Sequence, residues 1–352
     1  MDVLQENDSI EANATYEYDP TINIVYAIIG STAIIGNIWV IALNVIHRAM
    51  LYQAPNKFVV SLAASDAISG LLIFIMPGYI FPVDSYPYPN GVYLGSIFCS
   101  LIDSNALFFA SGFISVYTIA IISMERWCAV SRPFLYKRLF TQNRTRLIII
   151  CIWIFVPISV VDGVLQKKFD ARLFPPCQWF SLFRGDIVSA NLVFMVLESI
   201  RVFLPALVTI ISFADVVRRM SKKSDVKLNC SSAKRVKVRR RFTIMLGIAA
   251  VALIICWLPN EIYFSLVQLR LAFYEPIVHS ITKTLIVTNC CVNPIIYAAT
   301  NVTYRRGMIQ LIRQISRCIT GKKTPIAPIN SIRPSRSPTN LTNASAYDLT
   351  SL

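Results

Sequence analysis

The chain of 352 residues is 55% hydrophobic and 15% charged, and its formal net charge is +15. Its apolar residues come in long blocks, which is typical of membrane proteins and argues against an ordinary soluble domain. The basic residues lie in short segments between those blocks, where they act as topology signals, so no nucleic-acid partner is expected.

The N-terminal segment, residues 1–21, carries acidic side chains and no Lys or Arg. It lacks the apolar core of a cleavable signal peptide, so we expect an extracellular segment, and the first membrane helix targets the chain. Glycosylation motifs begin at Asn7 and Asn13, which makes both candidate sites on the extracellular side. The motif is short, and an unused match is the alternative.

Seven apolar segments are long enough to cross a membrane. A crossing needs about 20 residues, because backbone polar groups in lipid must hydrogen-bond within their own helix. We predict spans 1 to 7 over residues 22–46, 58–81, 95–124, 147–165, 187–217, 242–269 and 276–300. The predicted fold class is an all-α membrane protein, in which residues 22–300 form a seven-transmembrane helix bundle.

The segments that connect the spans alternate in charge. The segments after spans 1, 3 and 5 and the tail after Arg305 are basic. The acidic residues Asp84 and Glu275 lie in the segments after spans 2 and 6. Lys and Arg near helix ends are retained on the cytoplasmic side. We therefore predict a multi-pass protein of the plasma membrane with an extracellular N-terminus and a cytosolic C-terminus.

This topology leaves only Cys99 and Cys177, of nine cysteines, near the outer face. That face is oxidising, so the two are predicted to form a disulfide. It would tie the loop after span 4 to the outer end of span 3 and restrain a lid over any outer cavity.

The C-terminal part contains two regions. Residues 301–318 form a basic amphipathic stretch, which predicts a short helix 8 lying on the inner lipid leaflet. Cys318 within it is a candidate palmitoylation site, with a free thiol as the alternative. Residues 319–352, rich in Ser, Pro, Thr and Asn, predict a disordered, phosphorylatable cytoplasmic tail for an arrestin-type binder. The C-terminal residues Thr350-Ser351-Leu352 could bind a PDZ domain, and the alternative is that no protein recognises this terminus.

Polar residues and prolines inside the spans need a reason, because burying polar groups in lipid is costly. They form one motif in each span, in the order Gly36-Asn37, Leu62-Ala63-Ala64-Ser65-Asp66, Glu125-Arg126-Trp127, Trp153, Pro205, Cys256-Trp257-Leu258-Pro259 and Asn293-Pro294-Ile295-Ile296-Tyr297. In this order the motifs resemble those of the rhodopsin-like (class A) G-protein-coupled receptors. The resemblance covers residues 22–318.

The resemblance implies a receptor that binds an extracellular ligand and activates heterotrimeric G proteins. It assigns coupling and switching to Glu125, Arg126, Trp127, Trp257, Pro259, Asn293, Pro294 and Tyr297. Arg126 is expected to hold the inner helix ends at rest and to contact the G protein when span 6 swings outward. Trp257 is expected to be the switch beneath the ligand, one turn from the Pro259 kink.

The resemblance also implies a sodium site, and no required cofactor. Asp66, Ser115, Asn289 and Asn293 match the buried sodium ligands of the family. A buried carboxylate needs a cation or a proton, and oxygen ligands suit a hard ion. A protonated Asp66 in a water network is the alternative.

Three positions depart from the family pattern. Trp127 stands where tyrosine is usual, Phe213 stands where span 5 commonly has a tyrosine, and Arg239 stands where many relatives have a carboxylate. That carboxylate pairs with the span 3 arginine, so we expect this lock to be absent and hypothesise raised ligand-independent activity. The stretch from Cys99 to Arg126 is also slightly longer than usual, which leaves the outer register of span 3 open.

Ligand contact is predicted for titratable side chains of spans 5 to 7, namely Glu198, Arg201, Glu261, His279 and Lys283. Such groups inside spans are functional candidates by default. The alternative is mutual neutralisation, in which Glu198 pairs with Arg201, three residues away on one helical face, and Glu261 meets Lys283.

The ligand class follows from what spans 3 and 7 lack. Phe108 occupies the place of the carboxylate by which amine receptors bind ammonium groups, and Val287 that of the lysine by which opsins bind retinal. Both ligands are therefore disfavoured. We predict an extracellular peptide, as in neuropeptide receptors, in a mixed-charge cavity rimmed by aromatic residues.

Two other classes of function were considered. In a transporter or channel, the intramembrane charges would mark an ion or substrate path, but such folds usually show internal repeats, and none is found here. An enzyme is not expected, because His47 and His279 are the only histidines and there is no zinc-binding pair or phosphate-binding glycine loop.

Overall fold

The computed structural model describes residues 20–46, 54–180, 187–222 and 230–319, and in this part of the chain all seven predicted spans are helical. Four spans are single helices: Pro20–Ile46 (span 1), Ala54–Ile75 (span 2), Cys230–Gln268 (span 6) and Pro276–Thr300 (span 7). Span 3 comprises Val92–Phe98, Cys99–Asp103 and Ala106–Ser131, span 4 Gln142–Ile158 and Val161–Gln166, and span 5 Ile187–Glu198, Ser199–Phe203 and Leu204–Lys222. The remaining elements are helical turns at Val83–Ser85 and Pro133–Leu139, strands β1 (Lys167–Phe169) and β2 (Cys177–Trp179), and helix 8 (Val302–Ile319).

The surface of the bundle is apolar. Ile24, Ile28 and Ile35 of span 1 are exposed, whereas Asn37 of the same span is fully buried. This is the reverse of a soluble protein, in which polar groups face outward. Six helices in the described residues are long and apolar enough to cross a membrane, and span 7 with Tyr304–Arg313, bent by 98° from it, makes a seventh. The chain is an all-α multi-pass membrane protein, as predicted.

Span 3 lies at the centre of the bundle. It packs against spans 2, 4, 5 and 6, while span 7 closes the ring by packing against spans 1, 2 and 6. Spans 1 and 2 approach closely at Gly70, where an added Cβ would lie 2.8 Å from the Cβ of Ala33. Small residues allow this approach between membrane helices.

Some helix ends differ from the predicted ones for local reasons. Span 2 ends at Ile75 rather than at residue 81, because Pro77 disfavours helical geometry before it and Gly78 has φ 76°. Span 6 starts at Cys230 rather than at residue 242, since Lys and Arg are good helix formers. In span 3 a wide turn at Cys99–Asp103 and a left-handed Asn105 (φ 59°) precede the regular helix. This irregular stretch is the one whose register the sequence left open.

The predicted disulfide is present between Cys99 and Cys177, with a Cα–Cα distance of 5.2 Å. It fixes the antiparallel hairpin of β1 and β2, in which Phe169 pairs with Cys177, to the start of span 3. We call this side of the bundle the disulfide end, and the opposite side, where span 3 carries its arginine, the Arg126 end.

Candidate functional site

At the Arg126 end, a buried ion pair lies between adjacent residues of span 3. Arg126 donates to both carboxylate oxygens of Glu125, with 2.5 Å from Nη2 to Oε1, and both residues are buried. The Cζ atom of Arg126 lies 5.6 Å from the ring centroid of Phe242 on span 6. The side chain of Arg239 lies outside the described residues, so the absence of a lock with span 6 stays a prediction.

A second polar contact at this end was missed by sequence reasoning. The indole Nε1 of Trp127 donates to Asp215 of span 5 at 2.8 Å, and Ser131 donates to the same oxygen at 3.3 Å. Arg219, one turn along span 5, donates to it at 2.6 Å. The spacing of four residues between Asp215 and Arg219 was a usable signal. Nothing in the sequence links Asp215 to span 3.

Near the middle of the bundle, Asp66 is a buried carboxylate. Its two oxygens accept hydrogen bonds from Ser115 Oγ at 2.7 Å and Asn293 Nδ2 at 2.8 Å. Ser65 Oγ lies 2.8 Å from the hydroxyl of Ser115. Asn289 is also buried, but no hydrogen bond joins it to Asp66 in the described part of the chain. Three of the four predicted residues, Asp66, Ser115 and Asn293, therefore meet. The oxygen atoms of Asp66 and Ser115 are of the kind that a hard cation accepts, and the sodium ion stays a prediction.

The proposed switch residues lie in the core. Trp257 is 1% exposed and packs against Phe113, with ring centroids 5.2 Å apart. A Cβ added at Gly112 would collide with the indole ring, so Trp257 lies directly against the backbone of span 3. Pro259 lies inside the helix of span 6, where it removes a backbone donor.

The motif of span 7 packs against span 1 and helix 8. An added Cβ at Gly36 would lie 2.8 Å from the Cβ of Pro294. Tyr297 is 1% exposed, its ring centroid is 5.5 Å from that of Tyr304 in helix 8, and its hydroxyl has no partner in the described part of the chain. Burial raises the pKa of Tyr304 to about 12.

Toward the disulfide end, spans 4, 5 and 6 share a buried ionic cluster. Arg201 donates to Glu198 at 3.0 Å, as predicted from their spacing, and also to Asp162 and to the carbonyl oxygen of Ser159. Glu261 of span 6 is buried beside this pair and interacts electrostatically with both Glu198 and Arg201. Asp162 was missed although it lies in the second helix of span 4, Val161–Gln166, because the break between the two helices that brings it to span 5 has no sequence signature.

The suggested pairing of Glu261 with Lys283 is wrong. Lys283 Nζ donates to the carbonyl oxygen of Gly78 at 3.0 Å and lies 4.1 Å from the ring centroid of Tyr79. Lys283 therefore faces spans 1 and 2, whereas Glu261 faces span 5. The fifth predicted residue, His279, packs against Phe264, with ring centroids 5.3 Å apart, so the five residues do not form one site.

The disulfide end is covered by aromatic and basic side chains. Lys167 of β1 donates to Asp103 at 2.6 Å and lies 4.5 Å from the ring centroid of Trp179. Tyr88 lies nearby, and its pKa is raised by burial and, secondarily, by the charge of Asp103. Trp179 is 57% exposed, so part of this surface is free to contact a ligand.

Several predicted sites lie outside the described residues. These are Asn7, Asn13, the side chain of Cys318, and the tail with its PDZ-type ending.

Comparison with known proteins places the chain among receptors. Residues 36–297 match the family described as 7 transmembrane receptor (rhodopsin family). The human histamine H2 receptor is 26% identical over 297 residues, which cover 83% of this chain and 79% of that receptor. Trace amine-associated receptor 7e of Mus musculus is 25% identical (85% and 83% covered), and galanin receptor 2b of Danio rerio is 25% identical (89% and 80% covered). This family match supports neither the hypothesis of an enzyme nor that of a transporter or channel.

Proposed function

The chain belongs to the rhodopsin family of seven-transmembrane receptors, and from this we propose that it binds an extracellular ligand at the disulfide end and activates heterotrimeric G proteins at the Arg126 end. The observation that carries the proposal is the family match over residues 36–297. The buried pair of Arg126 with Glu125, at one end of the central helix, supports the site of coupling.

The coupling mechanism follows from the position of Arg126. Glu125 and Phe242 hold its guanidinium inside the bundle, where it cannot reach a partner protein. Movement of span 6 away from span 3 would withdraw the ring of Phe242 and open a cleft beside Arg126. Opposite charges then attract a G-protein surface that carries carboxylate groups.

Nucleotide exchange on purified G proteins tests this proposal. Membranes from cells that express the chain should accelerate exchange on at least one class of G protein, and Arg126→Ala should abolish the acceleration at equal surface expression. A matched control is Arg172→Ala, which removes an exposed arginine at the disulfide end and should leave exchange unchanged. Silence of the surface-expressed wild-type chain with every class, with and without a peptide library, would contradict the proposal.

We propose a peptide as the ligand. Phe108 is buried and packs against Tyr79, with ring centroids 5.8 Å apart, so span 3 offers an apolar wall where amine receptors have a carboxylate. The charged groups of spans 5 to 7 and exposed Trp179 supply the varied contacts that a peptide uses. The relatives include receptors named for histamine, for trace amines and for galanin, so they do not decide between an amine and a peptide.

A combined substitution tests these contacts, which lie on two sides of the bundle, with Glu198 and Arg201 on span 5 and Lys283 against Tyr79. Replacement of Glu198, Arg201, Glu261 and Lys283 by Gln should lower the potency of an activating peptide by at least about tenfold, since each removes a charged contact. Unchanged potency would place the ligand elsewhere.

Three further contacts are proposed on the cytosolic side. Palmitoylation of Cys318 would anchor helix 8, whose basic amphipathic sequence suits the lipid surface. The Ser- and Thr-rich tail would bind an arrestin-type protein once it is phosphorylated. The ending Thr350-Ser351-Leu352 would add a strand to a PDZ domain. Mass spectrometry of the tail, and pull-down with and without Leu352, test these contacts separately.

A further inference from the structure

The ionic cluster toward the disulfide end carries an excess of negative charge. We define the acidic cluster as Asp162, Glu198, Arg201 and Glu261. It contains three carboxyl groups and one guanidinium. Arg201 forms ion pairs with Asp162 and Glu198, and the buried Glu261 interacts electrostatically with Glu198 and Arg201. When every group is ionised, the formal charge is −2, in a region where Glu198, Arg201 and Glu261 are each at most 6% exposed. Uncompensated charge at such depth is costly.

Nearby cations do not remove the excess. Lys283 donates to Gly78 on the other side of the bundle, and Lys167 is paired with Asp103 at 2.6 Å. Among the residues that the structure describes, Arg201 is the only cation that contacts the cluster, and it is shared between two carboxylates. The like charges of Glu198 and Glu261 are also close enough to repel each other, and ionised carboxylates cannot donate to one another.

Unpartnered polar atoms occur in the cluster itself and on the face of span 6 that carries Glu261. The Oε2 atom of Glu198 is buried and, within the described chain, has no hydrogen-bond partner. The same holds for Trp257 Nε1 and Ser265 Oγ. They lie four residues before and after Glu261, and therefore on the same face of span 6. Native proteins rarely leave buried polar atoms unpaired without a ligand or water. Two of these atoms belong to side chains outside the cluster, so they point to a binding site independently of its charge.

We propose that the acidic cluster binds a cationic group of the ligand, an alkylammonium or a guanidinium, between the carboxyl groups of Glu198 and Glu261. The inference rests on the proposed receptor function and names the chemistry that its ligand must carry. Such a group brings several donors and no acceptor, which matches the free oxygen of Glu198. An anion would meet net repulsion, because Asp162 and Glu198 already neutralise Arg201.

The site would also connect the bound cation to Trp257, the proposed switch residue. Phe113 lies between Arg201 of the acidic cluster and Trp257, since its ring centroid is 5.9 Å from Arg201 Cζ and 5.2 Å from the ring centroid of Trp257. A cation beside Glu261 would sit one helical turn from Trp257, and aromatic faces attract cations. Both a peptide side chain or terminus and a small amine carry this group, and the test separates them.

Thermal unfolding of the purified full chain in lipid nanodiscs tests the proposal. Phenethylamine, agmatine or the tripeptide amide Arg-Phe-Gly-NH2 should raise the Tm, whereas neutral 2-phenylethanol should not. A larger shift with the tripeptide favours a peptide as the source of the cation, and a larger shift with phenethylamine favours an amine. If no cation raises the Tm more than the neutral alcohol does, the inference is wrong.

Variants locate the effect. Glu198→Gln and Glu261→Gln should each weaken cation binding by at least about tenfold. Neither should lower the Tm of the ligand-free chain, since each removes one excess charge. Asp170→Asn, a surface carboxylate paired with Arg172, should retain the shift. A cation-induced shift that survives in both Gln variants, or a marked loss of ligand-free stability in both, would assign the pair a structural role instead.

Failure of this inference differs from failure of the proposed function. If a neutral or anionic ligand activates G proteins through the chain and this activation depends on Arg201, the proposed receptor function holds and the cation site is wrong. If cations bind at Glu198 and Glu261 but the chain stimulates no nucleotide exchange, the cation site holds and the proposed receptor function is wrong.

Discussion

At the scale of single residues, Asp66 poses the sharpest electrostatic question in the bundle. Its carboxylate is buried and accepts from one hydroxyl and one amide. These neutral donors lower the cost of the charge but leave it uncompensated, and a buried carboxylate then takes up a cation or a proton. The residues Asp66, Ser115, Asn289 and Asn293 fit sodium by their donor types, which is why we propose it there.

The sodium proposal predicts a salt-specific stability. The Tm of the wild-type chain should be about 2 °C or more higher in sodium chloride than in choline chloride at equal ionic strength, since a ligand that binds only the native state stabilises it. Asp66→Asn should remove the difference. Asp215→Asn serves as the control and should retain it. Equal Tm values in both salts, with a more stable Asp66→Asn variant, would favour the protonated carboxylate.

Residue positions were predicted more successfully than residue partners. The pairing of Glu198 with Arg201 could be predicted because both lie on one helix, whose geometry fixes their spacing. The partner of Glu261 could not, because it depends on how spans 5, 6 and 7 rotate against one another. In the structure Lys283 packs against Tyr79 instead, and no local pattern encodes the rotation that brings them together.

At the scale of elements, Trp127 and Asp215 join spans 3 and 5 at the Arg126 end. The indole donor is specific, since the tyrosine common in the family has a different reach. A charged acceptor strengthens a hydrogen bond, but the side chain of Asp215 is partly exposed, so solvent weakens this one. Among the described residues, Trp127 and Ser131 are the two residues of span 3 whose side chains donate hydrogen bonds to Asp215.

A double-mutant cycle measures this link. Trp127→Phe and Asp215→Asn should each lower the free energy of unfolding, and the double variant should lose less than the sum, because the two share one interaction. Arg219→Gln is the matched control, since its pair with Asp215 is exposed and contributes little. Strictly additive losses would show that the two side chains do not interact.

The segment of span 6 near Arg239 carries a separate prediction. Introducing a carboxylate by Arg239→Glu should lower ligand-independent nucleotide exchange, by about tenfold if a paired charge adds 1.4 kcal/mol to the resting state. Arg240→Glu, at the adjacent position on a different helical face, is the control and should have less effect. Equal basal exchange in Arg239→Glu and wild type would count against the missing lock.

At the scale of the whole molecule, hydropathy alone predicted seven spans, because lipid forces each crossing to be one long apolar helix. The disulfide followed from topology, since few cysteines lie near the outer ends of spans. The hairpin of β1 and β2 and the turn at Cys99–Asp103 were not predicted. Short irregular segments take their shape from tertiary contacts, such as that of Lys167 with Asp103, and carry little periodicity.

The orientation of the bundle is testable in intact cells. If the N-terminus is extracellular, the chain should carry glycans that a glycosidase removes, and Asn7→Gln with Asn13→Gln should reduce its apparent mass to that of the treated protein. An antibody against an N-terminal tag should stain cells without permeabilisation. Staining that requires permeabilisation would reverse the topology and with it the assignment of the two ends.

The length of span 6 has a mechanical consequence. Its 39 residues, Cys230–Gln268, measure about 58 Å at a helical rise of 1.5 Å per residue, nearly twice the hydrocarbon thickness of about 30 Å. The arm from Pro259 to Cys230 alone is about 44 Å long. A tilt of about 10° at the proline would carry its tip through roughly 8 Å. Under the proposed function, span 6 would act as a lever that converts a small rearrangement beside Trp257 into a wide opening at the Arg126 end.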